Sequence, residues 1–313
     1  MFDSDQKLKI AVVGSGAIGC FYGAKLQQAG HEVHFLLRSD YAHVKQHGLQ
    51  ILSHDGDFVL DTVNAHTTTE TIGECDLVIV AIKTTANTVL ADLLPPLLND
   101  TTLVLTLQNG MGNIENLSAT VAMKNILGGL CFICANRVAP GVVRNQDHGA
   151  IELGEPEGGV TERLQNLAAM FVKAGVPCQA GKHLKDTLWR KLIWNVPFNG
   201  LSIAAGEIAT DKILQNPQLL ELVTYLQSEI QAAAKSDGVD IADEFVQLNI
   251  AKTRTMGAYQ PSSLIDYSAG RAVEVETIWG EPLRRAKANG VAVPYLEGLY
   301  LLLKGLVELR CEK

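Results

Sequence analysis

Short apolar runs rich in β-branched residues alternate with amphipathic stretches through the first part of the chain. Residues 8–13, LKIAVV, form such a run, bounded by glycine, and predict a buried strand. GSGAIG follows, then a helical stretch over 17–29, then a second strand at 33–37, VHFLL. Together they make one strand–Gly loop–helix–strand unit. Residues 48–60 predict a hairpin that turns at Asp55-Gly56-Asp57. DLVIVAI at 76–82 and TTLVLTL at 101–107 are continuous apolar runs of the kind that fully buried strands show, separated by a helical stretch that Pro95-Pro96 punctuates. Several short strands are expected within 126–153, broken by Pro140-Gly141 and by Gly149. A helix over 160–174 and a last short strand at 176–179 follow.

Near Gly181 the character changes. The β pattern stops and helical periodicity takes over in KDTLWRKLIWNVPFNGLSIA, NPQLLELVTYLQSEIQAAAKSDG and PYLEGLYLLLKGLVELR. The pattern therefore predicts an α/β Rossmann-like domain over 1–181 and an all-α domain over 182–313. No internal repeat and no low-complexity linker interrupts it.

Composition narrows the function classes. Hydrophobic residues make up 47% of the chain and charged residues 19%, as in an ordinary soluble globular protein. The formal net charge of -8 disfavours nucleic acid as a partner and leaves room for a small anionic ligand. No run reaches the roughly 18 apolar residues of a membrane span, and the first residues lack the pattern of a secretory signal. Six scattered cysteines point to a reducing cytoplasm. Cys131 and Cys134 have CxxC spacing, but in a predicted strand they point to opposite faces, so packing is the better reading. His43 and His47 share a predicted helix face without a clear third ligand, and no metal site is expected.

Gly14-x-Gly16-x-x-Gly19 stands where a dinucleotide site needs it, after a buried strand and at the start of a helix. Gly14 allows the tight turn, Gly16 lets a pyrophosphate approach the backbone, and Gly19 lets the helix pack on the sheet. Ser15, Ala17 and Ile18 complete the loop, and the helix N-terminus faces the phosphates. Arg38 directly follows the second strand, where an NAD site carries an acid. A guanidinium suits a 2′-phosphate, so NADP is favoured over NAD. Asp40, two residues on, reads as the N-cap of the next helix. Lys83 and Asn109 end two further strands. In an open parallel sheet the ligand crevice lies beyond the carboxyl ends of the strands, so Gly14, Arg38, Lys83 and Asn109 line one rim. From that rim Lys83 can reach cofactor phosphates or substrate, and Asn109 the nicotinamide ribose or substrate.

Lys191, Asn195 and Asn199 recur every four residues and share one helix face among strongly apolar neighbours. Buried polar groups in such surroundings need partners. This K-x-x-x-N-x-x-x-N pattern in WRKLIWNVPFNGL resembles the signature helix of the ketopantoate reductases. GSGAIG, the lysine of VAIKT, the QNG after the fifth strand and a later Ser-Ser…Glu segment match that family in the same order, over nearly the whole chain. The resemblance implies an NADPH-dependent reductase of a small 2-keto acid. It also implies a Rossmann-like domain followed by a helical domain like that of 6-phosphogluconate dehydrogenases.

Carried over residue by residue, the resemblance makes Lys191 the general acid that protonates the carbonyl oxygen as hydride arrives. Asn195 and Asn199 would bind substrate and hold the lysine. Ser263 would bind the substrate carboxylate, and Glu274 would position substrate and lie against the cofactor. Arg38 and Lys83 would lie near the adenosine phosphate, and Asn109 would touch both ligands. Glu276 is the alternative to Glu274, because the spacing from Ser263 leaves the register open. The family often reads G-R-P-T-E before this glutamate, whereas here the segment is Gly270-Arg271-Ala272-Val273-Glu274. The expected activity is reduction of 2-dehydropantoate to (R)-pantoate for pantothenate and coenzyme A synthesis, in the cytoplasm, with a homodimer open. A paralogous reductase of another keto or hydroxy acid and a non-catalytic NADP-binding sensor are the alternatives. The sensor predicts loss of Lys191, Asn195, Asn199 and Glu274, all of which are present.

Overall fold

The computed structural model describes residues 6–311. Contacts divide the chain into two compact units: one runs to Asn109 and continues over Asn113–Leu184, and the other joins Gly110–Gly112 to the chain from Lys185 onward.

The first unit holds a single sheet of ten strands: β1 (Lys9–Val13), β2 (Glu32–Leu36), β3 (Leu49–Ser53), β4 (Phe58–Leu60), β5 (Asn64–His66), β6 (Leu77–Val80), β7 (Leu103–Thr106), β8 (Ile126–Ala139), β9 (Val142–Gly154) and β10 (Cys178–Ala180). Its order is β4-β3-β9-β8-β7-β6-β1-β2-β5, with β10 beside β9. The strands from β7 to β5 all run parallel. This half explains the continuous apolar runs. Ile10 and Val12 face one core while Ala11 and Val13 face another, and Leu77/Ile79 and Val78/Val80 divide in the same way. A strand alternates its side chains, so covering both faces demands apolar residues at every position.

Helix α1 (Ala17–Gln28) packs on β1 and β2 and also touches β3, β8 and β9. It is followed by α2 (Tyr41–His47), α3 (Leu90–Leu93), α4 (Asn113–Leu117) and α5 (Glu162–Lys173). The short strands expected within 126–153 are instead one long antiparallel hairpin, β8 with 14 residues and β9 with 13. Pro140-Gly141 is its turn, and the other breaks are β-bulges. At one of them Ile133 pairs with His148 and Phe132 with Ala150, which leaves Gly149 unpaired at φ 146°. A bulge absorbs a glycine that would otherwise end the strand. Tyr22 of α1 donates its hydroxyl to the Gly149 carbonyl at 3.2 Å, which ties the bulge to the helix. Strand β5, three polar or small residues at the sheet edge, has no apolar pattern by which to foresee it. Leu184 closes this unit by filling the space that Gly128 and Gly154 leave open.

The second unit is helical: α6 (Leu184–Ala204), α7 (Thr210–Gln215), α8 (Pro217–Ser236), α9 (Asp243–Thr255), α10 (Ser262–Ser268), α11 (Glu281–Ala288) and α12 (Pro294–Cys311), with one π-helical turn at Glu276–Gly280. Trp189, Phe198, Leu226, Trp279 and Leu303 lie in its one buried core. Met111 joins that core, and its N–H donates to the Thr277 carbonyl at 2.9 Å.

Pro197 sits inside α6. It has no N–H, so the Ile193 carbonyl four residues earlier loses its helical donor. The fully buried Gln227 of α8 replaces it, its Nε2 donating to Ile193 O at 3.2 Å. Gln227→Leu leaves that carbonyl without a donor. The substitution should lower stability by about 1–3 kcal/mol, read from the urea midpoint. An unchanged midpoint would mean that the Gln227 bond adds nothing.

Candidate functional site

Strand register brings the rim of the first unit together. Val13 of β1 aligns with Leu36 of β2 and Val80 of β6, and Val80 aligns with Thr106 of β7. Gly14, Arg38, Lys83 and Asn109 therefore follow strand ends that lie side by side. The Gln108 amide ties two of these loops, donating to Ile82 O at 3.0 Å and to Asn87 Oδ1 at 2.6 Å. From sequence, Gln108 counted only as part of the QNG match, with no role of its own; its position between a buried strand end and Asn109 was the available signal. Lys83 precedes a 3-10 turn at Thr84–Val89. The Asn109 carbonyl accepts from Asn113 Nδ2 at 3.1 Å.

The three glycines of the turn have three different surroundings. Gly14 takes φ 104°, and a Cβ there would stand 2.3 Å from Ile82 N. A Cβ on Gly19 would meet Gly14 O at 2.2 Å and Val12 Cγ1 at 2.8 Å, so the close approach of α1 to β1 requires its absence. A Cβ on Gly16 would meet nothing within 4 Å. Gly16 begins α1 without a side-chain cap, and the first turn carries no acid. Ser15 Oγ is buried without a hydrogen-bond partner among the described residues. An open cradle at Gly16, uncapped helical N–H groups and an unsatisfied hydroxyl fit a bound pyrophosphate. Ala17 and Ile18 flank that cradle, half-buried.

Arg38 is exposed after β2. Asp40 departs from expectation. It occupies the N-cap position of α2 but with helical φ/ψ of -94° and -1°, and its side chain caps nothing. A capping side chain needs extended backbone to reach back to the first N–H groups. Here the carboxylate turns inward instead, to Arg137 Nη1 at 3.1 Å and to Gly141 N at 3.3 Å. Cys20, in the first turn of α1, has its thiol pushed up to about 12, chiefly by burial and then by Asp40. The rings of His43 and His47 lie 4.8 Å apart, and among the described residues no three His, Cys, Asp or Glu side chains gather as a metal site would need.

In the second unit α6 carries Lys191, Asn195 and Asn199 on one face. Both amides are buried, and Lys191 is half-buried. Asn199, only 1% exposed, accepts at Oδ1 from Ser263 N at 3.0 Å and from Ser262 Oγ at 3.5 Å. It thereby brings the start of α10, with the buried Ser263, to the α6 face. Its Nδ2 has no hydrogen-bond partner among the described residues, which is what a donor kept for a ligand looks like. Trp194 and Phe198 stack at 5.3 Å beside this face, and Tyr259 meets Trp194 edge-on at 5.9 Å. The sequence reading treated Trp194 and Phe198 only as apolar surroundings. Their spacing at i and i+4 was the signal that they share a face.

Glu276 is tied to the helices that follow it. Glu276 accepts from Arg284 Nη1 at 2.8 Å and from the Tyr300 hydroxyl at 2.8 Å, and Lys304 lies 3.5 Å away. Burial would raise its carboxyl, but Arg284 and Tyr300 together hold it below the usual range. That carboxylate is committed to α11 and α12. Glu274 lies half-buried just before the π-helical turn and is the better candidate for the site.

A parallel sheet with a Gly-x-Gly-x-x-Gly turn after its first strand, in one chain with a helical unit bearing a Lys–Asn–Asn face, defines an oxidoreductase on a dinucleotide-binding fold. The model of the family described as ketopantoate reductase PanE/ApbA matches residues 10–158, and the model of that family's C-terminal part matches 183–307. The chain belongs to the ketopantoate reductase family. It is 43% identical over 303 residues to a 2-dehydropantoate 2-reductase of a Nostoc species, covering 95% of each chain. The solved 2-dehydropantoate 2-reductase of Geobacter metallireducens superposes with a TM-score of 0.93 at 42% identity, covering 95% of this chain and 99% of that one. The enzyme of the same name from Methylococcus capsulatus gives 0.89 at 35% identity, covering 98% of both. The α/β unit followed by a helical unit is the expected fold class. No helix among the described residues is long and apolar enough to cross a membrane.

Proposed function

We propose that the chain catalyses the NADPH-dependent reduction of 2-dehydropantoate to (R)-pantoate. The observation that carries this is identity of 43% over 95% of both chains with a relative of that activity, together with the Lys191–Asn195–Asn199 face that the chemistry requires. Gly14, Ser15, Gly16, Ala17, Ile18 and Gly19 would hold the pyrophosphate, Arg38 and Lys83 the adenosine phosphate, and Asn109 and Glu274 the nicotinamide side. Bound NADPH would supply the hydride.

The chain's own residues do the rest. Hydride arrival at the keto carbon leaves negative charge on its oxygen. The Lys191 ammonium stabilises that charge and delivers the proton. Asn195 and the open Nδ2 of Asn199 orient the substrate. Ser263, fixed through its backbone N–H by Asn199, receives the carboxylate. Glu274 accepts from the substrate hydroxyl.

The departure from G-R-P-T-E falls on Ala272, which is exposed, and on Val273, which is 4% exposed and packed in the core of the helical unit. A residue turned into the core alters packing rather than substrate contact, so the loss of the Thr hydroxyl at Val273 does not favour a different keto acid. NADPH consumption by the purified protein, followed by nicotinamide absorbance across a panel of branched 2-keto acids, tests the assignment. The expected result is fastest turnover on 2-dehydropantoate. Turnover confined to another keto acid would move the substrate, and NADPH binding without any turnover would leave a sensor.

A further inference from the structure

We infer that Arg137 is a second cation of the 2′-phosphate site and that, by holding Asp40 out of the way, it sets the preference for NADPH over NADH. The inference rests on the reading of the first unit as an NADP site.

An acid shortly after β2 is the device by which dinucleotide sites bond the ribose 2′-hydroxyl, and facing a 2′-phosphate it repels. Asp40 is such an acid, two residues past Arg38. The structure turns it inward. Its side chain is 8% exposed, its oxygens accept from Ser39 Oγ at 2.9 Å and Gly141 N at 3.3 Å, and Oδ2 is ion-paired with Arg137 Nη1 at 3.1 Å. Arg137 comes from the far end of β8, and its side chain is 44% exposed. The same Nη1 lies 3.5 Å from Ser39 Oγ, so the guanidinium reaches the residue next to Arg38.

One nitrogen of the fork is thus spent on positioning. Nε and Nη2 make no hydrogen bond among the described residues. A guanidinium anchored by one edge with its other donors open is suited to a phosphate. A positive group here also replaces the negative field that Asp40 would otherwise present. The Cys20 thiol responds to Asp40 and to Arg137 in opposite directions, which places the pair near the first turn of α1, where the Gly-rich turn ends. The sequence offered no sign of this, because Arg137 and Asp40 are 97 positions apart and meet only through the curl of the β8–β9 hairpin.

A merely structural ion pair, bracing the Pro140-Gly141 turn, predicts something different. Removing it would cost stability and affect both cofactors alike. The test is fluorescence titration of wild type, Arg137→Ala, Arg137→Lys and Arg137→Ala/Asp40→Asn with NADPH, NADH, adenosine 2′,5′-bisphosphate and 5′-AMP. For Arg137→Ala we expect affinity for both 2′-phosphate ligands to fall about tenfold while NADH and AMP change by less than about twofold. Arg137→Lys, which keeps the charge but not the fork, should lie between. Adding Asp40→Asn should recover part of the loss, because the unmasked acid is then neutral. Equal losses across all four ligands, or NADPH affinity untouched in Arg137→Ala and Arg137→Lys, would overturn the inference while leaving the NADP site standing. A wild type that binds NADPH no better than NADH would overturn the NADP reading itself.

Discussion

Lys191→Ala should lower kcat for the keto acid by about a thousandfold while the dissociation constant of NADPH stays near that of wild type. The reasoning starts from the charge balance. Hydride addition to a ketone builds an alkoxide, a strong base whose conjugate alcohol is about as weak an acid as water, so at neutral pH the step needs a proton donor and a compensating positive charge at the oxygen. Lys191 is the cationic member of the α6 face, and Asn195 and Asn199 beside it are neutral. Removing it therefore takes away donor and charge together, and neither amide can replace either. On the proposed function the glycine turn of the first unit holds NADPH, so its binding should not follow. Lys191→Arg keeps charge but holds its proton too tightly to deliver it, and should recover little of the lost rate. Rapid single-turnover kinetics would separate this from slow product release. A kcat that falls by less than tenfold, or a loss that appears wholly in the KM of the keto acid, would make Lys191 a binding residue and leave the general acid to be found elsewhere.

How much of this was legible in the sequence differs between the two units for a physical reason. The parallel half of the sheet is covered on both faces, so β1, β6 and β7 are continuous apolar runs and show themselves directly. The register that aligns their carboxyl ends follows from parallel pairing, and with it the rim of Gly14, Arg38, Lys83 and Asn109. Edges and hairpins are harder. β5 is short and polar, and β8 and β9 contain glycines and bulges that break the period-two pattern without breaking the strand. The Lys191–Asn195–Asn199 face could be read because helix geometry converts a spacing of four into a shared face. What that face meets could not. That Asn199 anchors α10, that Gln227 supplies the donor Pro197 lacks, and that Asp40 turns to Arg137 are contacts between distant segments, with no local signature. The choice between Glu274 and Glu276 was of the same kind. Two residues from Glu274, in a segment that ends in a π-helical turn, Glu276 is held by Arg284, Tyr300 and Lys304, contacts that the local sequence does not show.

Gly14→Ala and Gly16→Val should fail in opposite ways, and the contrast tests the cofactor cradle more sharply than either alone. At Gly14 the backbone itself forbids a side chain: φ is 104°, and the added carbon would sit 2.3 Å from Ile82 N and 2.6 Å from the Ala81 carbonyl carbon. The turn must distort or β1 and β6 must part, so Gly14→Ala should cost about 3 kcal/mol or more of stability and lower the urea midpoint with or without cofactor. Gly16 has neither constraint. Its φ of -80° suits any L-residue, and nothing stands within 4 Å of an added carbon. Within the first unit no contact explains a glycine there; a ligand drawn against the backbone does. Gly16→Val should therefore melt close to wild type and yet raise the KM of NADPH by more than about tenfold, because the isopropyl group fills the space the pyrophosphate needs. Its kcat at saturating NADPH should fall much less. If Gly16→Val binds NADPH like wild type, the pyrophosphate does not lie over Gly16, and the open N-terminus of α1 must serve another ligand. If it unfolds instead, the space beside Gly16 is used by the protein itself.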